Sequence, residues 1–212
     1  MYLDIRNLIK TIDGGQVLND ISVGMDKGLI YGIKGKNGSG KTMLLRAICG
    51  LIKPTKGMVI IDGKLIGKDI TFPQSVGVLI EHPGFIANLS GYDNLKLLAD
   101  IKGIIGRIEI EEVMDRVGLE RSSFKKKYRT YYLGMKQKLG IAAAIMEQPD
   151  LILLDEPTNA LDEESVNRLA SILQEEKNRG ALIIIASHDM DELNRLSDTI
   201  FVMDQGRMSE LI

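Results

Sequence analysis

The segment Leu151 to Asp162, LILLDEPTNALD, limits what this chain can fold into more than any other. Consecutive leucines and isoleucine ending at a turn marked by Pro157 are what a strand buried on both faces of a parallel sheet requires. The two carboxylates that follow, Asp155 and Glu156, cost too much to leave unpaired inside such a sheet. They belong at its carboxyl edge, where open α/β sheets bind ligands. There one carboxylate can hold a divalent cation while the other takes a proton. A solvated acidic turn is the competing reading of this segment taken alone.

A second motif favours the first reading. GKNGSGKT, Gly35–Thr42, matches the phosphate-binding loop pattern with Gly35, Gly40, Lys41 and Thr42 at the required positions. Gly28 to Ile33 reads as a strand entering the loop. Met43 to Cys49 reads as a helix leaving it, with Gly50 as its stop and Pro54 beyond. The glycines let backbone N–H groups turn toward a phosphate at a helix N-terminus. The expected nucleotide contacts are therefore Gly35, Lys36, Asn37, Gly38, Ser39, Gly40, Lys41, Thr42 and Met43. Lys41 supplies a compact positive charge for the outer phosphates, and the Thr42 hydroxyl is placed to ligate Mg²⁺.

Composition is consistent with a soluble enzyme. The chain has 212 residues, 44% of them hydrophobic, enough for one large core or a core plus a small subdomain. A net charge of −2 gives no general electrostatic case for nucleic acid as a partner, and Lys125 to Lys127 with Arg129 reads as a solvated face. One cysteine cannot form an internal disulfide, and Cys49 sits among apolar residues of the helix after the loop, as a small buried hydrophobe. No apolar run approaches a membrane span, and MYLDIRNLIK is too polar for a signal peptide, so a cytosolic location is expected.

Strand patterns cover Leu3 to Ile9, Val17 to Val23, Leu29 to Lys34, Met58 to Ile61 and Val76 to Ile80. Asp13-Gly14-Gly15 and Asp62-Gly63 punctuate them as hairpins, which predicts an antiparallel layer beside the nucleotide. From Leu89 to Met146 the pattern is helical. Its apolar stripes are Leu95, Leu97, Leu98 and Ile101, then Ile108, Val113, Val117 and Leu119, then Leu139, Ala142, Ala143 and Ile145. Strand Leu151 to Asp155, helix Glu163 to Asn178, strand Leu182 to Ser187, helix Met190 to Leu196 and strand Thr199 to Met203 follow. That order is α/β with a helical insertion.

The phosphate loop, the LILLDEP strand end, the NALD turn and the SHD after Leu182 to Ser187 together resemble an ABC-type ATPase domain, over nearly the whole chain. The resemblance implies one domain over 1–212. It comprises a P-loop, RecA-like core with an N-terminal antiparallel β layer (1–82 and 147–212) and an inserted helical signature subdomain (83–146). It implies ATP and Mg²⁺ as cofactors, Lys41 as the Walker A lysine, Asp155 as the Walker B aspartate and Glu156 as the catalytic glutamate. Asp162 would be the D-loop aspartate and His188 the switch histidine that senses the γ-phosphate.

Departures from the common family pattern carry further expectations. Glu81, in GVLIEHPGF, stands where a glutamine is usual, and would offer an oxygen to Mg²⁺ or the attacking water at the cost of added negative charge. This segment, with GMKQKLGIA at Gly134 to Ala142, resembles the ATPases of bacitracin-resistance and lantibiotic-immunity exporters, which carry a glutamate at this loop. His82 reads as a loop residue, since one neighbouring carboxylate is no metal site. The signature, which acts on the γ-phosphate of a second subunit, reads Tyr132, Leu133, Gly134 and Met135, with Tyr132 in place of a phosphate-binding serine and Gly134 opening the helix. Ile12 stands where an aromatic usually stacks on adenine, and Lys138 where an arginine is frequent.

The resemblance therefore implies an ATP-hydrolysing subunit that dimerises head to tail on nucleotide. It would drive a separate membrane permease, exporting antimicrobial peptides or related compounds, from the inner face of the cell membrane. Phe85 to Leu98 would be the coupling surface, with sealing of the core as the alternative role of Phe85 and Leu89. A soluble ABC ATPase in assembly or repair and a weakly hydrolysing regulatory module are the competing readings.

Overall fold

Two sheets organise the chain, and their strand orders follow from where the apolar residues fall. The computed structural model describes residues 1–81 and 83–210, so the expectation for His82 lies outside the described residues. The first sheet runs β2-β1-β4-β5 and is antiparallel throughout: β1 is Leu3–Ile12, β2 Gly15–Met25, β4 Lys56–Ile61 and β5 Lys64–Leu65. Its two hairpins turn at Asp13-Gly14 (φ 48° and 81°) and Asp62-Gly63 (φ 49° and 73°). Left-handed backbone at both central residues is the turn whose twist matches paired strands, and it explains the Asp-Gly pairs.

The second sheet runs β10-β9-β3-β8-β7-β6, with β3 Leu29–Lys34, β6 Val76–Leu79, β7 Leu151–Asp155, β8 Leu182–Ser187, β9 Thr199–Asp204 and β10 Arg207–Glu210. All its pairings are parallel except β9 with β10. Every residue of β7 and β8 is buried, as strands covered on both faces must be. Their side chains alternate between two cores. Leu151, Leu153, Leu182 and Ile184 face the antiparallel sheet and helix α1 (Lys41–Ile48), while Ile152, Leu154, Ile183 and Ile185 face the helices on the other side. Burying each such side chain contributes about 1.5–3 kcal/mol.

The helical stretch between β6 and β7 comprises α2 (Gly91–Lys102), α3 (Arg107–Arg116), the short α4 (Arg121–Phe124) and α5 (Leu133–Ile145). Helix α5 lies against β6 so closely that a Cβ on Gly77 would overlap the Ala144 carbonyl. On the opposite side, α3 is tied to α6 (Glu163–Asn178) through Glu176, whose carboxylate, 2% exposed, accepts from Arg116 Nη1 at 2.8 Å and from Arg179 Nε at 2.9 Å. The last helix, α7, is Met190–Leu196.

Several element boundaries differ from the sequence reading. Strand β1 extends beyond Ile9 and β2 starts before Val17 because the hairpin keeps pairing to Ile12 and Gly15, and β2 runs past Val23 because Gly24 and Met25 pair with Asp4 and Leu3. Helix α1 begins at Lys41, since the loop's glycine is itself the cap. Strands β5 and β10 are too short or too polar to show a period. The stripe expected on α2 is mostly not buried: Leu95 and Ala99 pack inward, while Leu97, Leu98 and Ile101 are exposed, Ile101 by 78%. Asn94 is the reason. Its side chain bonds to Ile86 N, Ile86 O and Ser90 O, and this fixes the rotation of α2 with the Leu97 face outward. Ile108 is likewise exposed, the buried face of α3 being Ile110, Val113 and Met114.

Candidate active site

Parallel pairing brings three strand ends to one edge. Lys34 pairs with Ser187 and Asp155 with Ala186, so the residues following β3, β7 and β8 emerge side by side. These are the glycine-rich loop, Glu156 and His188.

The loop enters α1 through Gly40, whose φ of 108° is open to glycine and costly for other residues. A Cβ there would also meet Val17 O at 2.6 Å. No side chain caps α1, and no acidic residue lies in its first turn. The N-termini of α2, α6 and α7 are capped by Ser90, Asp162 and Asp189. Helix α5 shares the bare condition of α1: Tyr132 is its N-cap residue but makes no capping bond, and its first turn has no acid. A bare helix N-terminus offers unpaired N–H groups and a positive dipole end to an anion.

Within the cleft, the Thr42 hydroxyl donates to Asp155 Oδ2 at 2.6 Å. Lys41 Nζ donates to Gly35 O at 2.6 Å and stands 3.5 Å from Glu156 Oε1, which has no hydrogen-bond partner. Burial pushes the Asp155 carboxyl up from its ordinary value, against the Thr42 bond that pulls it down. Glu156 has φ of 47°, a strained conformation for a non-glycine residue. Its Oε2 is 2.9 Å from His188 Nδ1 and 3.4 Å from Ser187 Oγ. Ser187 Oγ also donates to Glu192 Oε2 at 2.8 Å, and burial raises the Glu192 carboxyl as well.

The cleft has a volume of about 990 Å³. Of the residues expected from sequence, Lys36, Asn37, Gly38, Gly40, Lys41, Thr42, Met43, Glu81, Asp155, Glu156 and Leu133 line it. Gly35 and Ser39 are buried beneath the loop, and Ser39 Oγ is unpaired. Ile12 is exposed at the β1 end and is not part of the wall, whereas Val17 of β2 is. The Glu81 carboxylate bonds to Arg46 Nη2 at 2.8 Å. Asp162 caps α6 by accepting from Ser165 N at 2.8 Å, and the Ser165 side chain first, then its backbone N–H, holds the Asp162 carboxyl below the usual range. Tyr132 is 82% exposed and Leu133 64%; Gly134 and Met135 follow in the first turn of α5.

Sequence reasoning missed Gln137, Asn159 and Ala160, which complete the wall. Gln137 Nε2 donates to Glu156 O at 3.1 Å and Pro157 O at 2.9 Å. Only its position one turn into the helix that starts at the signature hints at this reach.

A glycine-rich loop opening a helix at the carboxyl edge of a parallel sheet, with Lys41, Thr42 and Asp155 converging in one cleft, defines a P-loop nucleotide-binding protein. The chain belongs to the ABC transporter family, as one of its ATP-binding, ATPase subunits: residues 18–159 match the family model described as ABC transporter. An AAA domain model also matches residues 130–194.

The chain is 48% identical over 206 residues to the uncharacterized ABC transporter ATP-binding protein YybJ of Bacillus subtilis (strain 168), covering 97% of this chain and 94% of that one. It is 40% identical to the bacitracin transport ATP-binding protein BcrA of Enterococcus faecalis (98% of this chain, 68% of that one). It is 34% identical to the lantibiotic transport ATP-binding protein SrtF of Streptococcus pyogenes (97% and 88%). A solved ATP-binding subunit of an ABC transporter superposes with a TM-score of 0.88 at 27% identity, covering 100% of this chain and 90% of that one. The dimeric bacterial cassette MJ0796 shares the fold, with a TM-score of 0.88 at 22% identity over 99% of each chain.

Proposed function

We propose that this chain hydrolyses MgATP at the composite interface of a head-to-tail dimer and powers a permease carried on another polypeptide. The observation that carries the reading is the convergence of Thr42, Asp155 and Glu156 beside the bare N-terminus of α1. The donor set suits Mg²⁺. Thr42 Oγ1 and Asp155 Oδ2 meet in the cleft, and among the described residues no group of three or more His, Cys, Asp or Glu could hold a metal by itself. An ion that keeps its waters and takes phosphate oxygens fits that sparse site. Bound Mg²⁺ would neutralise charge developing on the phosphate oxygens.

The chain's own residues do the rest. Lys41 leaves the Gly35 carbonyl and Glu156 for the outer phosphates. Glu156, released from that ion pair, orients and deprotonates the attacking water, with His188 on its other oxygen. Tyr132 to Met135, the segment 83–146 to which they belong, and the bare α5 N-terminus face the partner's phosphate, with Asp162 at the same interface.

Phe85 to Leu98 is the surface offered to the permease. Its substrates are antimicrobial peptides or related amphipathic compounds, as the names of BcrA and SrtF suggest. Among the described residues no helix is long and apolar enough to cross a membrane, and the subunit would sit on the cytoplasmic face, held by its partner.

Mg²⁺-dependent turnover of the wild type, Glu156→Gln and Tyr132→Ser tests the enzyme half. Glu156→Gln is expected to lose roughly 10²–10⁴-fold in rate. Wild type as slow as Glu156→Gln, with Tyr132→Ser active, would leave only a regulatory ATP-binding module. Co-purification of a multi-span membrane protein tests the transport half, and recovery of a soluble complex in its place would refute it.

A further inference from the structure

Glu156 has a second carboxyl behind it, that of Glu192 in the first turn of α7. The Glu192 backbone N–H donates to Asp189 Oδ1 at 3.2 Å, and the adjacent Leu193 is wholly buried. Helix α7 lies so close to β3 that a Cβ on Gly32 would meet Leu193 Cδ2 at 3.2 Å. The Glu192 carboxyl is thus carried by a packed, capped helix. Burial pushes it up, the hydroxyls of Thr158 and Ser187 pull it down, and the charges of Glu156 and Asp189 add to the rise.

Ser187, fully buried at the end of β8, sets its hydroxyl between Glu192 and Glu156. Its Oγ accepts from Asp189 N at 3.1 Å and has one proton to give. That proton goes to Glu192 Oε2 at 2.8 Å, while Glu156 Oε2, at 3.4 Å, lies beyond the usual O–H···O distance. A carboxyl keeps an acceptor oxygen whether or not it is ionised, so this bond does not depend on the charge of Glu192.

We propose that Glu192 is a positioning residue for hydrolysis: by taking the Ser187 proton it keeps that hydroxyl off Glu156 Oε2 and leaves this oxygen to His188. This rests on the reading of Glu156 as the catalytic base. Without an acceptor on residue 192, the buried Ser187 hydroxyl turns to Glu156 Oε2, since leaving it unbonded is costly. It then competes with His188 and draws the carboxylate toward β8, away from the attacking water. Nucleotide binding through Lys41, Thr42 and Asp155 does not pass through this contact.

The test is a double-variant cycle on the full chain, with Mg²⁺-dependent turnover and affinity for a fluorescent ATP analogue read separately. Glu192→Ala is expected to lower kcat about tenfold to a hundredfold, what a hydrogen bond to a charged group is worth, with affinity unchanged. Glu192→Gln, which keeps an acceptor for Ser187, stays close to wild type. In the Ser187→Ala background no hydroxyl is left to misdirect, and adding Glu192→Ala costs no further turnover. A merely structural role predicts further loss there, because both changes destabilise the same corner. Equal loss from Glu192→Ala in both backgrounds therefore overturns the proposal. So does Glu192→Gln as slow as Glu192→Ala, or Glu192→Ala at wild-type kcat while Glu156→Gln is slow. Glu156→Gln as fast as wild type removes the base reading itself, and this proposal with it.

Discussion

The Thr42 hydroxyl donates to Asp155 Oδ2 at 2.6 Å, tying the start of α1 to the end of β7 with strand β8 between them in the sheet. The bond occupies the two groups that would share a metal ion, and it forms where burial already disfavours a charged carboxylate.

Asp155 therefore opposes folding at neutral pH. Its folded carboxyl titrates above its ordinary value, so the native state holds the proton longer than the unfolded chain does. Stability falls as pH rises from the ordinary carboxylate range through the raised value, and stays reduced above it. Asp155→Asn keeps the acceptor for Thr42 and removes that cost. Thermal melts without nucleotide should show a higher midpoint for the variant at pH 7, the difference shrinking to nothing at acid pH. The same variant should lose the added stability that MgATP gives the wild type.

Ser187 has one hydroxyl proton between two carboxylates and spends it on Glu192 at 2.8 Å, leaving Glu156 at 3.4 Å. Ser187→Ala strands a carboxylate oxygen in a site where the other Glu192 oxygen already has no partner. Urea unfolding should show a loss of about 1–3 kcal/mol.

Much of this site is legible in the sequence because its chemistry is local. Gly35 to Thr42 carry the glycine-rich loop, Lys41 and the Thr42 hydroxyl in one stretch, and LILLDEP shows both the strand and what it delivers. What is not legible depends on neighbours distant in sequence. The outward turn of Leu97, Leu98 and Ile101 is set by the bonds of Asn94, not by the apolar count of α2. The Arg46 bond to Glu81 needs two elements to meet, as do the Gln137 bonds to the Glu156 and Pro157 carbonyls and the close approach of α5 to β6 at Gly77.

That approach predicts a sharp intolerance. Gly77→Ala places a methyl group on the Ala144 carbonyl, backbone against backbone, where no rotamer change relieves the overlap. The expected cost is about 1–3 kcal/mol, measured by denaturant titration, with hydrogen exchange rising first in α5 and β6.

Glu176 holds α3 to α6 by accepting from both Arg116 and Arg179. A fully buried pair broken on one side costs about 3–5 kcal/mol, but these arginines are about 30% exposed and recover some hydration. Glu176→Gln, which keeps the shape and drops the charge, should cost about 2 kcal/mol in urea unfolding, and added salt should narrow its difference from wild type.

The Gln137 amide ties α5 to the strand end that carries Glu156. Its two bonds grip the peptide planes of Glu156 and Pro157, one helical turn from the exposed tip at Tyr132 and Leu133. The exposed tip of α5 is thereby joined, through one side chain, to the backbone of Glu156, which itself has a positive φ.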